Sequence, residues 1–132
     1  MTISRLYTRI ISVAFLLVAL SLVSDYIEFG FRPETMHKIF HVALGAIVLR
    51  WGWSNPAWWR VFPIANGLFF SFVALFGWLF PDFGGLDAFN RIDTILHTIV
   101  GTTGLFAGFW PRIYGKKNTP VKQPTTFREG YF

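Results

Sequence analysis

Four long apolar stretches divide the sequence, and short segments rich in polar and turn-forming residues separate them. They run over Leu6–Ile27, Met36–Trp51, Trp59–Phe80 and Ile92–Trp110. A membrane-spanning helix needs about 20 mostly apolar residues, because each residue adds about 1.5 Å along the axis. Three stretches meet this length, whereas the second is interrupted at Arg50 and must borrow "RWGW" or stand nearly upright. The pattern predicts an all-α, four-transmembrane-helix bundle.

Composition supports a membrane protein. Of the 132 residues, 53% are hydrophobic and 14% are charged, against about 25% charged in ordinary soluble domains. Arg5 and Arg9 ahead of an apolar core resemble a signal peptide, but the core continues past Ser21, so we expect an uncleaved helix. The chain has no cysteine, which excludes disulfides, thiolate metal ligands and cysteine nucleophiles.

Charge is distributed unequally between the two sides of the predicted bundle. One side holds nine of the twelve basic residues, which are Arg5, Arg9, Arg50, Arg60, Arg112, Lys116, Lys117, Lys122 and Arg128. The other side holds six of the seven acidic residues, which are Asp25, Glu28, Glu34, Asp82, Asp87 and Asp93. The positive-inside rule therefore predicts that both termini are cytoplasmic. The net charge of +5 is then explained by topology and by contact with anionic lipid headgroups, and no nucleic-acid motif is present.

The chain divides into a transmembrane domain, 1–112, and a basic cytoplasmic tail, 113–132, which has prolines and no apolar period and is predicted to be disordered. Pro33 and Gly84–Gly85 mark the two outer connections between helices. The shared pattern [His/Asp]-x-x-x-His-x-x-x-Gly in the second and fourth helices indicates two parallel hairpin repeats, related by a pseudo-twofold axis along the membrane normal.

All three histidines of the chain occur in that repeated pattern. Residues four apart share one face of a helix, so His37, His41 and Gly45 form one stripe, while Asp93, His97 and Gly101 form the other. His41 and His97 each lie about 7.5 Å into their helices at about 1.5 Å per residue. We therefore expect the two stripes to meet at similar depth below the outer, non-cytoplasmic surface.

Three interpretations of these stripes stay open. The side chains could hydrogen-bond across the bundle, to Thr94, to Thr98 or to a loop carbonyl, since polar groups at membrane depth face the interior. They could form a divalent-metal site from His37, His41, Asp93 and His97, because three imidazoles and a carboxylate suit zinc and related ions. They could instead hold a cofactor.

The cofactor in that third interpretation is a haem or a chlorophyll, with His41 and His97 as axial ligands from opposite helices. Gly45 and Gly101 would then leave room for the macrocycle.

A separate motif, Gly104–Gly108 in "GLFAG", is a candidate face for association with other membrane proteins, because small residues four apart let helices approach closely. Ser71 lies mid-span with no base near it in the sequence, so a serine nucleophile is unsupported and we name no catalytic residue. Enzyme activity is not expected, but water activated on a metal held by the His/Asp cluster leaves it open.

The stretches "MHKIFHVALGAIVL" and "GLDAFNRIDTILHTIVG" resemble the two signature helices of small bacterial membrane proteins grouped as domain of unknown function 4383. His37, His41 and Gly45 match the first signature, and Asp93, Leu96 and His97 match the second. Lys38 stands where that family usually has an amide. The resemblance covers about Leu6 to Trp110 and implies a four-helix unit whose histidines act as a set, without implying an activity.

Together these patterns predict a small, non-enzymatic, multi-pass protein of a bacterial inner membrane or photosynthetic membrane. It would serve as an accessory or packing subunit or as a binding module, with the His/Asp cluster as its polar centre. The alternative is a protein that binds haem, chlorophyll or a divalent metal through His41 and His97.

Overall fold

Four α-helices and no strand form the described part of the chain, which in this computed structural model is residues 2–114 without the side chains of Asp87 and 111–114. The helices are α1 (Ile3–Phe29), α2 (Pro33–Ile47), α3 (Trp58–Leu79) and α4 (Arg91–Tyr114). The prediction of an all-helical chain with four helices is confirmed. Over the described residues, α1, α3 and α4 up to Trp110 are long and apolar enough to cross a membrane.

The second helix begins at Pro33, three residues before the predicted apolar stretch, and its first turn is well capped. The ring of Pro33 fixes a helical φ where no N–H is needed, and the Arg32 N–H donates to Oγ1 of Thr35 at 2.9 Å. The α-helical part has only 15 residues, which is why it falls below the length of a span. It continues directly into a π-helical turn of five residues, Val48–Gly52, so the helical run includes most of the "RWGW" segment that the sequence analysis named.

Helices α1 and α2 pack as one tight hairpin and α3 and α4 as another, and glycines make the close approach possible. A Cβ added to Gly45 of α2 would lie 2.9 Å from the Ser12 carbonyl oxygen of α1. A Cβ on Gly67 of α3 would lie 2.5 Å from the Leu105 nitrogen of α4. The backbones of α1 and α2, and of α3 and α4, therefore touch where a side chain would keep them apart.

Hydrogen bonds from α1 join the two hairpins near the chain's N-terminus. The Ser4 hydroxyl donates to the Ala107 carbonyl at 2.6 Å, and the Tyr7 hydroxyl donates to the Val100 carbonyl at 2.9 Å. Asn66 of α3 in turn donates to the Tyr7 hydroxyl at 2.7 Å. Helix α1 thus packs on both α3 and α4, whereas α2 reaches them mainly through side chains and the π turn. The predicted twofold relation between the hairpins stays a prediction.

Arginines and tryptophans gather at the end of the bundle that holds the α2–α3 connection. The Arg5 guanidinium lies 4.7 Å from the ring centre of Trp59, and that of Arg9 lies 4.6 Å from the ring centre of Trp53. Arg9 also donates to the Trp53 carbonyl at 3.0 Å. Such pairs are typical of the membrane–water interface. The predicted tail, 113–132, lies outside the described residues except for 113–114, whose backbone continues α4.

The opposite end of the bundle holds the α1–α2 and α3–α4 connections and is here called the outer end. The α3–α4 connection turns sharply because Asp82, Gly84 and Gly85 adopt positive φ values of 55°, 61° and 69°. The Asp82 N–H donates to the Phe89 carbonyl at 3.0 Å and closes the loop. This folds Ala88 and Phe89 inward, towards the start of α4.

Candidate metal centre

The three histidines converge in the gap between α2 and α4, as the sequence predicted. His37 and His41 lie on one face of α2, with ring centres 4.6 Å apart. The ring centre of His97 on α4 lies 5.7 Å from that of His37 and 5.9 Å from that of His41. One ring nitrogen from each residue can be chosen so that all three lie within 4.8 Å of one another. Two hairpins therefore contribute to a single cluster.

Two hydrogen bonds orient the imidazoles. Nε2 of His41 lies 2.8 Å from Nε2 of His37, so one of these nitrogens donates to the other. His97 hydrogen-bonds to the backbone of Ala88 in the α3–α4 connection, which fits the predicted bond to the loop backbone. The Nδ1 atoms of His41 and His97 are buried and have no hydrogen-bond partner. The cluster is thus fixed in place but retains unused nitrogen lone pairs or N–H groups.

Phenylalanines enclose the cluster on its inner side. The ring of Phe70 from α3 stacks on His41 at 5.5 Å and 12°, and it also lies 5.1 Å from His97. Phe15 of α1 lies 4.8 Å from His41. His41 and His97 are only 8% and 4% exposed, so their imidazoles are shielded from solvent and lipid. An apolar wall of this kind strengthens the interaction of nitrogen ligands with a cation by lowering the local dielectric constant.

A cavity lies on each side of the histidines. One of about 310 Å³ is bounded by α1, α2 and α4 and is lined by all three histidines together with Lys38 and Asp93. The second, of about 210 Å³, lies towards α3 and the α3–α4 connection and has almost entirely aromatic and aliphatic walls. The first cavity, here called the histidine cavity, has mostly apolar walls and offers room for a small ligand or for water beside the ring nitrogens.

Asp93, the fourth predicted metal ligand, lines the histidine cavity but does not belong to the set of converging ligand atoms. Its carboxylate accepts a hydrogen bond from the Asn90 side chain at 3.1 Å, and its N–H donates back to the Asn90 side chain at 2.8 Å. These bonds cap the start of α4. The sequence spacing placed Asp93 on the face that lines this cavity, and its carboxylate takes part in the cap at the start of α4.

Gly45 and Gly101, predicted to leave room for a macrocycle, receive a neighbouring helix instead. A Cβ on Gly45 would lie 2.9 Å from the Phe15 Cβ, and one on Gly101 would lie 2.6 Å from the Ser71 nitrogen. Both glycines therefore serve the close packing inside a hairpin, and the space next to each is filled. Ligation of a haem or chlorophyll by His41 and His97 stays a prediction, without a role for these two glycines.

The two glycines of "GLFAG" also face inward. A Cβ on Gly104 would lie 2.9 Å from the Pro63 carbonyl oxygen, and Gly108 packs against Ile64. The motif predicted for association with other membrane proteins is thus covered by α3 of the same chain. Association through another surface stays a prediction.

Sequence reasoning missed two groups that complete the site. Ala88 carries no side-chain signal, and its contact with His97 depends on the fold of the α3–α4 connection. In the sequence, Lys38 is recognisable only as a departure from the family pattern. In the structure it lines the histidine cavity and forms an ion pair with Asp25. A basic residue within an apolar run, one position after a histidine, is the signal that could have indicated this role.

In comparisons with known proteins, no protein-family model, curated protein or solved structure matches the chain.

Proposed function

We propose that this chain is an integral membrane protein with four spans, in which α2 and its π turn provide the fourth. The helical run 33–52 adds five π-helical residues to the 15 of α2, which is about the length that a bilayer requires. Both termini lie on the cytoplasmic side, because the basic residues cluster at the α2–α3 connection and the termini. A bacterial inner or photosynthetic membrane is the proposed location.

Within this scaffold, the proposed function is non-enzymatic binding of one divalent transition-metal ion by His37, His41 and His97 near the outer face. The observation that carries the proposal is the convergence of three ring nitrogens, from two hairpins, within 4.8 Å. Tetrahedral zinc with Zn–N bonds of about 2.0–2.1 Å needs nitrogens about 3.3 Å apart. Small rotations of the three imidazoles therefore suffice to bring the nitrogens to that spacing. A water molecule in the histidine cavity would complete the coordination.

The composition of the ligand set narrows the choice of metal. Three imidazoles suit zinc, copper, nickel or cobalt, whereas magnesium and calcium prefer oxygen ligands. A tetrapyrrole between His41 and His97 is less favoured by the packing, because the ring of Phe70 contacts both imidazoles. The macrocycle would have to displace it.

Metal titration of the detergent-purified protein tests this proposal, with a purification tag that contains no histidine. We expect one Co²⁺ or Zn²⁺ per chain by elemental analysis, and a visible Co²⁺ absorption band typical of tetrahedral coordination. His97→Gln is the decisive variant, because glutamine can still hydrogen-bond to the Ala88 backbone but is a poor ligand. Metal content should fall to background in His97→Gln and in His41→Ala, while a helical circular dichroism spectrum is retained.

A purely structural role is the second candidate. The His37–His41 bond and the bond from His97 to Ala88 favour it, because they already satisfy part of the cluster without an ion. In that case the wild-type protein would bind no metal even in excess Co²⁺, and His97→Gln would match the wild type in melting temperature. A Soret or red absorption band in the purified protein would instead support the tetrapyrrole.

A further inference from the structure

A third cavity, here called the outer cavity, lies next to the histidine cavity and closer to the outer end. It has a volume of about 340 Å³ and lies between the last turns of α1 and the first turns of α2. Its charged residues are Asp25 from α1, Arg32 from the α1–α2 connection, and Glu34 and Lys38 from α2. One carboxylate oxygen of Glu34 is buried and has no hydrogen-bond partner. Glu34 therefore places a carboxylate in the wall of the cavity, and one of its two oxygens is unsatisfied.

Lys38 lines both this outer cavity and the histidine cavity. Its ammonium group pairs with Asp25 and donates to the Ser21 hydroxyl at 2.8 Å, so the side chain bridges from α2 to α1. The lysine side chain is only 16% exposed, whereas the Asp25 side chain is 49% exposed. The bridge is thus set at the boundary between the two cavities, with its acidic partner facing outward.

We infer that Lys38 is a gate between the outer cavity and the histidine site, and that metal ions reach the histidines from the outer end past Glu34. This inference rests on the proposed metal binding. A cation in the outer cavity is attracted by the carboxylates of Glu34 and Asp25. It is repelled by the guanidinium of Arg32 and by the ammonium of Lys38. Lys38 lines both cavities and is adjacent to His37 in sequence, so an ion that moves from the outer cavity to His37 passes the Lys38–Asp25 bridge. Release of the bridge removes both the steric and the electrostatic obstacle.

The alternative route, through the opposite end of the bundle, is closed by packing. Buried side chains fill the bundle there, among them Tyr7, Phe62 and Ala107. The hydrogen bonds of Tyr7 and Ser4 join the hairpins at that end. The only other cavity at the histidines has apolar walls, which a hydrated cation would not cross. Among the described residues, the outer cavity is the one with mostly polar walls, and it shares Lys38 with the histidine cavity.

Stopped-flow Co²⁺ binding to the full-length protein, followed by its visible absorption, tests the role of Glu34. Glu34→Gln should slow association by roughly fivefold at low salt, because one carboxylate is lost from the path of a divalent ion. Glu28→Gln is the matched control: it removes the same charge from an exposed position on α1 that does not line the cavity. Equal rates in the two variants would overturn the proposed route.

Lys38→Met tests the gate itself. Methionine keeps an unbranched side chain but removes the charge and the bridge to Asp25, so association should accelerate by roughly fivefold or more. Lys38→Arg keeps the charge and the ion pair and should stay close to the wild type. If Lys38→Met and Lys38→Arg bind Co²⁺ at the same rate, Lys38 is not a gate.

Stoichiometry separates failure of this inference from failure of the proposed function. All four variants should still bind one Co²⁺ per chain at equilibrium, because none removes a histidine. If the wild-type protein binds Co²⁺ and none of the four variants changes the rate of association, the gate alone is overturned. A wild-type protein that binds no Co²⁺ overturns both.

Discussion

At the scale of single residues, Tyr7 shows how one hydroxyl connects three helices. It donates to the Val100 carbonyl of α4 and accepts from the Asn66 side chain of α3, while its own backbone belongs to α1. The ring is 8% exposed and packs at 6.3 Å from Phe62. Loss of the hydroxyl would leave the Asn66 amide buried without its acceptor, which costs more than the bond alone contributes.

We therefore expect Tyr7→Phe to lower the free energy of unfolding by about 1–2 kcal/mol. Tyr26→Phe is the matched control, because Tyr26 lies on the same helix and is 57% exposed. Thermal melting in a mild detergent, followed by circular dichroism, measures both. Equal melting temperatures for the two variants would contradict the assigned role of the Tyr7 hydroxyl.

Residue spacing predicts how the three histidines come together, but it does not predict the contacts of the side chains around them. A separation of four places His37 and His41 on one helical face whatever the tertiary structure, and the shared glycine register placed His97 at the matching depth. Asp93 obeyed the same spacing, yet the local cap with Asn90 determines where its carboxylate lies. The bonds from Lys38 to Ser21 and Asp25 depend on how α1 packs against α2, which spacing along one helix does not encode.

At the scale of whole helices, α3 and α4 depend on small residues for their contact. Gly67 meets the backbone of Gly104 and Leu105 directly, and Gly77 packs against the Thr94 side chain. Four apolar runs predicted the helices to within a few residues, because length and hydropathy suffice for that. Which helix each glycine faces was not predictable, since a glycine motif indicates close approach but not the partner.

Gly67→Ala should separate α3 from α4 and lower the free energy of unfolding by about 1–3 kcal/mol, as is usual for an overpacked contact. The added Cβ would meet the Leu105 nitrogen at 2.5 Å, and a backbone atom cannot rotate away as a side chain does. Ala65→Val, at an exposed position of the same helix, adds more volume and should leave stability nearly unchanged. Melting temperatures of the two variants decide this, and a larger loss in Ala65→Val would contradict the packing described.

At the scale of the whole molecule, the structure is two hairpins that are joined directly at one end and through histidines at the other. An ion bound by residues of both hairpins would link them and stabilise the folded state by mass action. With Zn²⁺ at about 100 times its dissociation constant, the gain is about 2.7 kcal/mol. We expect Zn²⁺ to raise the melting temperature of the wild type and to leave that of His97→Gln unchanged, whereas an equal rise in both would point to adventitious binding.

The topology can be tested without background labelling because the chain has no cysteine. Glu28→Cys and Leu86→Cys place a thiol in or near the two outer connections, and Ser54→Cys places one in the α2–α3 connection; all three native residues are exposed. A membrane-impermeant maleimide applied to intact cells should label the first two variants, and the third only after permeabilisation. Labelling of positions 28 and 86 from opposite sides would show that one of the helices between them does not span the membrane.

The π-helical turn at Val48–Gly52 has a consequence for how the sequence can change in length. In such a turn each backbone bond closes over one residue more than in an α-helix, so the segment already holds a surplus residue. A deletion there could be absorbed by closing the turn as ordinary α-helix, and both histidines of α2 precede it. The same deletion between positions 37 and 41 would rotate one imidazole by about 100° around the helix axis. Natural variants that differ by one residue in this region should therefore carry the gap after the histidines and not between them.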